Sequence, residues 1–363
     1  MEKLGNSKKL NKTFWKNKRI LVTGHTGFKG SWLVICLENL GAKVYGISLK
    51  PNSSLSLFET ANISKLCNSF FCDIRNHVEL NKNIKIINPE IIFHLAAQPL
   101  VKESYEDPLN TFSTNIMGSV NLFNISREID NLKSFIAITT DKVYKNKEWE
   151  FGYRENDKLG GHDPYSASKA SAELAISSWR ASFCGKLDYQ NSNILISSAR
   201  SGNVIAGGDW SKDRIVPDFV NGVFKNNPVD VRNPNSTRPW QHVLEPLSGY
   251  LKLAEVMDKE SYKVCSEFNF GPNLTSNRKV IDLLEEMNKY WPAKLNIQKS
   301  KNSFHEANLL NLQIDKAYHL LNWKPKWDFN KTVFKTINWY KSYYDGKSAY
   351  DCCISDINEF LDD

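Results

Sequence analysis

Residues 20–37 read ILVTGHTGFKGSWLVICL: an apolar strand, a turn with glycines at 24, 27 and 30, and an apolar helix. Glycine is needed where a chain turns tightly and where backbone must approach a pyrophosphate with no Cβ in the way. The helix beginning near Gly30 then aims its unpaired N–H groups at the anion. Glycine-rich turns are common, but one set between a strand and an apolar helix predicts a dinucleotide site rather than a simple turn.

Working outward, short apolar runs alternate with helical patterns. The expected strands are 19–23, 43–48, 68–72, 91–95, 135–139, 194–199 and 267–270, each a nearly continuous apolar run. Such runs mark strands covered on both faces, so the predicted fold is α/β, a Rossmann-type doubly wound parallel sheet wrapped by helices. After Asn203 the texture becomes rich in Gly, Asp, Pro, Arg and Asn through GGDWSKDRIVPDF and RNPNSTRPWQHV, the material of a smaller, discontinuous C-terminal substrate domain. The expected division is a basic tail over 1–18, a dinucleotide-binding domain over 19–203 to which 239–270 returns, a substrate domain over 204–238 and 271–345, and a C-terminal extension over 346–363.

Composition narrows the function classes. The chain has 363 residues, 41% of them hydrophobic, enough for a large core. Its longest apolar run, Trp32 to Leu37, is far short of the ~20 residues that cross a bilayer. No apolar segment in the first 18 residues reads as a signal peptide, so no membrane partner and a cytoplasmic location are expected. The net charge of +7 sits largely in a Lys-rich start read as a solvated tail, and no interleaved aromatic pattern points to nucleic acid. Seven scattered cysteines show no CxxC or Cys/His spacing, so no metal site is expected and the thiols read as reduced and structural. The vicinal pair Cys352-Cys353, in a polar stretch, reads as chance.

The second strand ends in VYGISLKPN, without the carboxylate that usually holds the adenosine ribose. Ser48 can bond a ribose hydroxyl and Lys50 can reach a 2′-phosphate, which leaves the choice between NAD and NADP open. Asp73, at the end of the third strand, suits either the adenine amino group or the cap of the next helix.

DPYSASKASAEL places Tyr165 and Lys169 four residues apart, on one face of a helix starting at Pro164. An ammonium beside a phenol favours the phenolate and is expected to draw the Tyr165 pKa down from ~10. Such a tyrosine can take a proton from a sugar alcohol. Upstream, TTDKVY (139–144) follows an apolar strand, where ligands of a doubly wound sheet gather. Thr140 can bond the reacting hydroxyl beside Tyr165, which leaves Asp141 and Lys142 over. Elimination of water from a sugar needs one group to protonate the departing hydroxyl and another to manage the C5 proton. The alternative is a surface ion pair.

With GHTGFKGSWL, FHLAAQPLVKESYEDP, TTDKVY, GYREND, GGHDPYSASKASAE, RSGNVIAGGDW, DRIVPD, RNPNSTRPWQHVLEPLSGY, FNFGP and HEANLL in view, the chain resembles the CDP-glucose 4,6-dehydratases, extended short-chain dehydrogenases. That subgroup has Asp-Lys after the threonine, where most sugar-nucleotide dehydratases have Asp-Glu. The resemblance implies Thr140, Asp141, Lys142, Tyr165 and Lys169 as catalytic residues. It implies Gly24, Thr26, Gly27, Phe28, Gly30, Asp73, Ile74, Leu95, Ala96, Ala97, Gln98, Thr139 and Arg200, with Tyr165 and Lys169, along an NAD cofactor. It implies Gln98, Asn203, Asp213, Arg214, Arg238, His305 and Glu306 around CDP-glucose, and a homodimer or homotetramer. Three departures stand out: Lys102 in place of arginine, Ala206 in place of a glycine, and DPYSASKA for DPYSNSKG. The rival readings are a nucleotide-sugar 4-epimerase, a dehydratase of a dTDP-, UDP- or GDP-sugar, and a non-catalytic cofactor-binding regulator.

Overall fold

The computed structural model describes residues 10–51, 53–184, 194–211, 214–231, 233–297 and 309–363. Strands β1 (Arg19–Thr23), β2 (Lys43–Ser48), β3 (Asn68–Phe71), β4 (Ile91–His94), β5 (Ser134–Ile138), β6 (Leu195–Ser201) and β7 (Glu267–Phe270) form one sheet in the order β7-β6-β5-β4-β1-β2-β3. Every pairing is parallel. The expected strands are all present, with several ends displaced by one or two residues.

Side chains alternate along these strands between two cores, as the two-residue strand period requires. Leu21, Ile92 and Phe135 pack on one face, and Val22, Phe93 and Ile136 on the other. Chain order reverses between β4 and β1, which opens a crevice at their carboxyl ends.

The helices that bear on the site are α1 (Phe28–Asn39), α2 (Pro164–Phe183), α3 (Leu244–Glu260), α4 (Phe329–Tyr344) and α5 (Ala349–Asp362). In α1 every residue from Gly30 to Leu37 is buried. A helix apolar all round must be covered on both sides, and α5 supplies the outer cover.

Here two expectations are corrected. The segment 346–363 is not a polar extension: Ala349, Cys352, Cys353, Asp356, Ile357 and Phe360 form one buried helical face. Cys352 and Cys353 are successive buried positions on that face, as structural thiols would be, and their polar neighbours hid a helical period. Asp356 is held by Lys335 of α4 at 3.2 Å. Nor is the start of the chain solvated throughout. Asn11 N and Trp15 Nε1 both donate to Glu255 Oε1 of α3, at 2.6 and 2.8 Å, and Trp15 is fully buried. A buried indole outweighs the lysines around it.

No disulfide joins any of the seven cysteines. Among the described residues no helix is long and apolar enough to cross a membrane, and no group of His, Cys, Asp or Glu suits a metal ion.

Glu267 fastens the outer strand β7 to α2, accepting from Arg180 at 2.7 Å, with Lys316 at 3.5 Å. Burial pushes its carboxyl up, but Arg180 and Lys316 outweigh this and hold it down at about 2, against 4.5 for a free glutamate. This stabilisation is complete above pH 4.5 and is lost as the pH falls towards 2. Glu267→Gln is expected to flatten the acid fall of the melting temperature in that window, removing about 1–2 kcal/mol of pH-dependent stability after solvent screening. Thermal melts across the pH range check this, and an unchanged acid limb would contradict it.

Candidate active site

The turn after β1 is shaped by contacts that forbid side chains. Gly24 has φ +75°, and a Cβ there would lie 2.7 Å from the Ala96 nitrogen. A Cβ on Gly30 would lie 2.1 Å from the Gly24 carbonyl oxygen. Gly27 precedes α1 and gives it no side-chain cap, so the helix turns its N-terminal N–H groups outward at an exposed glycine. These are the features a dinucleotide pyrophosphate needs, and the turn fits that group. Thr26 ties the turn to β2, its Oγ1 lying 2.7 Å from Ser48 Oγ and donating to the Leu49 carbonyl. Phe28 starts α1, and Leu95, Ala96 and Ala97 follow β4 beside Gly24, all half-buried.

Beyond β5 the chain turns sharply. Thr140 caps a single turn, Asp141–Val143, its Oγ1 accepting from Lys142 N at 3.3 Å. The same hydroxyl donates to Asp141 Oδ1 at 2.9 Å. Asp141 is only 3% exposed, with Lys142 Nζ 3.8 Å away. A Cβ on Gly202 would lie 2.9 Å from Asp141 Oδ2, so the chain beyond β6 closes over the carboxylate. This is not a surface ion pair. Lys142 reaches Asn203 Oδ1 at 3.4 Å, which brings one more expected residue to the same place.

Helix α2 brings in the tyrosine and lysine. Asp163 caps it, with Pro164 in its first turn. Lys169 Nζ donates to the Ile138 carbonyl at 3.0 Å. Burial draws this ammonium down to about 8, with Glu173 pulling the other way. The expected lowering of Tyr165 is corrected: burial pushes its phenol up to about 12, Asp141 and Asp163 add to the rise, and Thr140 and Arg214 oppose it. Lys169 spends its ammonium on the strand end instead.

Other expected residues have the following partners. Arg200 lies on β6. It is buried, donating to Glu173 Oε2 at 2.8 Å and to Tyr144 OH at 2.9 Å. Gln98 is also buried, its side chain bonded to Leu100 and Thr111. Asp73 does not cap the helix after β3: Asn76 does, and Asp73 grips Arg75 at 2.6 Å. Ile74 packs beneath Gly118, where a Cβ would meet it at 2.5 Å. Arg214 donates to Asp209 at 2.9 Å. Arg238 lies on the short strand Thr237–Pro239, directly opposite Arg278. Asp213, His305 and Glu306 lie outside the described residues.

Sequence reasoning missed three groups. Lys29, in the glycine turn, sends Nζ to Ser201 Oγ at 3.0 Å and is drawn down to about 8 by burial. Asn115, in a π-helical turn, accepts from Gln98 N at 2.8 Å and donates to Ser168 Oγ of α2 at 2.9 Å. Glu173, one turn beyond Lys169, accepts from Thr139, from Ser198 Oγ at 2.8 Å and from Arg200 at 2.8 Å. Only Glu173 carried a signal, an acid four residues after a candidate lysine.

Residues 21–336 match the family model described as GDP-mannose 4,6 dehydratase. The chain belongs to that family. Within this dehydratase family it is 42% identical to the CDP-glucose 4,6-dehydratase of Salmonella typhimurium, over 97% of this chain and 98% of that one. It is 25% identical to a probable dTDP-glucose 4,6-dehydratase of Sinorhizobium fredii, over 89% and 92% of the two chains. The fold matches an epimerase of Methanothermobacter thermautotrophicus with a TM-score of 0.78 at 21% identity, over 92% and 95%. It also matches a dTDP-glucose 4,6-dehydratase of Bacillus anthracis, in complex with NAD, with a TM-score of 0.72 at 19% identity, over 91% and 99%.

Glu173→Gln leaves Arg200 as a buried unpaired cation, so the variant is expected to lose about 3–5 kcal/mol of stability. Denaturant titration of both proteins checks this. A loss below about 1 kcal/mol, the range of exposed pairs, would show that the pair does not fix the site.

Proposed function

We propose that the chain is a CDP-glucose 4,6-dehydratase, converting CDP-D-glucose to CDP-4-keto-6-deoxy-D-glucose and water with NAD as its cofactor. The observation that carries the reading is the buried carboxylate of Asp141, bonded to Thr140 and placed beside Lys142 at the carboxyl end of β5. The 42% identity to a CDP-glucose 4,6-dehydratase over nearly the whole chain supports the nucleotide. The glycine turn and the carboxyl ends of β1 and β4 would hold the NAD, which supplies a reversible hydride acceptor when bound.

In this reading Tyr165 removes the proton of the C4 hydroxyl, oriented by Thr140. Burial sets the phenol high, so Arg214 and the Thr140 hydroxyl, which oppose that rise, must offset the developing charge as substrate docks. Oxidation at C4 acidifies the C5 proton. Asp141, entering the step protonated, gives its proton to the C6 hydroxyl as water departs while a base on the Lys142 side takes the C5 proton. Hydride then returns to C6 and the proton to C5, and Thr140, bonded to Asp141, can relay the Tyr165 proton back to the carboxylate. Lys142 stabilises the charge that develops on the enolate, and its contact with Asn203 holds it there. Arg238, on the short strand Thr237–Pro239, suits the diphosphate through the bidentate geometry of its guanidinium. The segments 204–238 and 271–345 then form the substrate lobe, with 19–203 and 239–270 carrying the cofactor.

The proposed enzyme is a cytoplasmic homodimer or homotetramer that engages neither nucleic acid nor membrane.

Incubation of the purified protein with CDP-, dTDP-, UDP- and GDP-glucose, followed by mass analysis, tests the reading. CDP-glucose is expected to emerge one water lighter. An isomer of unchanged mass would mean an epimerase, and preference for another nucleotide would overturn the substrate. Tyr165→Phe is expected to lose about 10²–10⁴-fold in turnover while still binding NAD. Wild-type turnover in that variant would remove Tyr165 from the chemistry.

A further inference from the structure

Resting on the reading that the glycine turn holds a dinucleotide, we propose that its adenosine-ribose corner accepts a 2′-phosphate, so that the chain binds NADP as well as NAD. Selectivity for NAD in this fold comes from an acidic side chain at the end of the second strand, which takes the ribose hydroxyls and repels a phosphate. Here β2 ends at Ser48, and Leu49, Lys50 and Pro51 follow. No Asp or Glu occurs anywhere between Glu38 and Glu59.

The corner is built, and its charge is positive. Ser48 Oγ and Thr26 Oγ1 lie 2.7 Å apart, and Thr26 donates onward to the Leu49 carbonyl. These bonds fix the end of β2 against the cofactor turn and bring Lys50 to its rim. Lys50 is exposed, with Nζ 5.9 Å over the ring of Phe71 at the end of the neighbouring strand β3. Among the described residues, Asp73 and Arg75 also stand on this edge. Arg75 NH2 and Nε meet Asp73 Oδ2 at 2.6 and 3.0 Å, and the pair neutralises itself. Among the described residues, that leaves the Lys50 ammonium as the uncompensated charge where β2 and β3 end. A phosphate gains a cation there and meets no carboxylate, whereas a ribose diol finds no bidentate acceptor.

Dissociation constants of NAD⁺ and NADP⁺ are measured by isothermal titration calorimetry on the full chain, together with Lys50→Ala and Lys50→Asp. NADP⁺ is expected to bind within about tenfold of NAD⁺ or more tightly, since no like charge opposes it. Lys50→Ala should weaken NADP⁺ alone by about fivefold, as for one partly exposed charge pair. Lys50→Asp should restore preference for NAD⁺. A wild-type preference for NAD⁺ beyond about tenfold, or a Lys50→Ala effect equal for both dinucleotides, overturns the inference. Binding of neither dinucleotide overturns the reading of the glycine turn itself, and this inference with it.

Discussion

The buried carboxylate of Glu173 is the constraint on which the site depends. It stands on α2, one turn beyond Lys169 and two beyond Tyr165, and it accepts from Thr139 past β5 and from Ser198 and Arg200 on β6. One group therefore registers the helix against two adjacent strands. Burial alone would push this carboxyl up, but Arg200 and the two hydroxyls hold it below the ordinary range. It stays charged because its surroundings are arranged for a charge, and that arrangement cannot slide by a helical turn without stranding Arg200. Lys169 then reaches the Ile138 carbonyl, and Tyr165 comes to the carboxyl edge of the sheet, beside the turn that carries Asp141.

From this follows a division of labour in the crevice. The glycine turn offers backbone to a dinucleotide, and α2 offers a phenol beside cations. The tight turn after β5 offers a carboxylate shut away from water. Gly202 is small where it crosses Asp141, so the acid is covered by backbone rather than by a side chain that could swing aside. Dehydration adds to an oxidoreductase site the need for a protected acid next to the reacting sugar, and Asp141 meets that need by position.

Much of this was legible in the sequence because it is written in local periodicity. Continuous apolar runs gave the strands, the glycine spacing gave the cofactor turn, and a four-residue interval gave the tyrosine and lysine. Less legible were the features that depend on what lies opposite. Cys352 and Cys353 sit among polar letters, and only the helical period of α5 against α1 makes them core. Trp15 looked like part of a solvated tail because its partner, Glu255, lies far along the chain. Arg200 is a plausible cofactor ligand by motif, yet its charge is spent on Glu173. The rise of the Tyr165 pKa is not legible in the sequence, which shows neighbours along a helix and not the burial that dominates them.

The central claim is that Asp141 and Tyr165 act on one hexose in one cleft, the first for water loss and the second for oxidation. The most direct measurement is rapid-mixing absorbance of the reduced nicotinamide when Asp141→Asn, loaded with NAD, meets CDP-glucose. The account predicts that the reduced form builds up and persists while no water is lost, because oxidation at C4 proceeds and elimination stalls. Normal turnover without that signal would contradict it, and so would the absence of any reduction in a variant that binds both ligands.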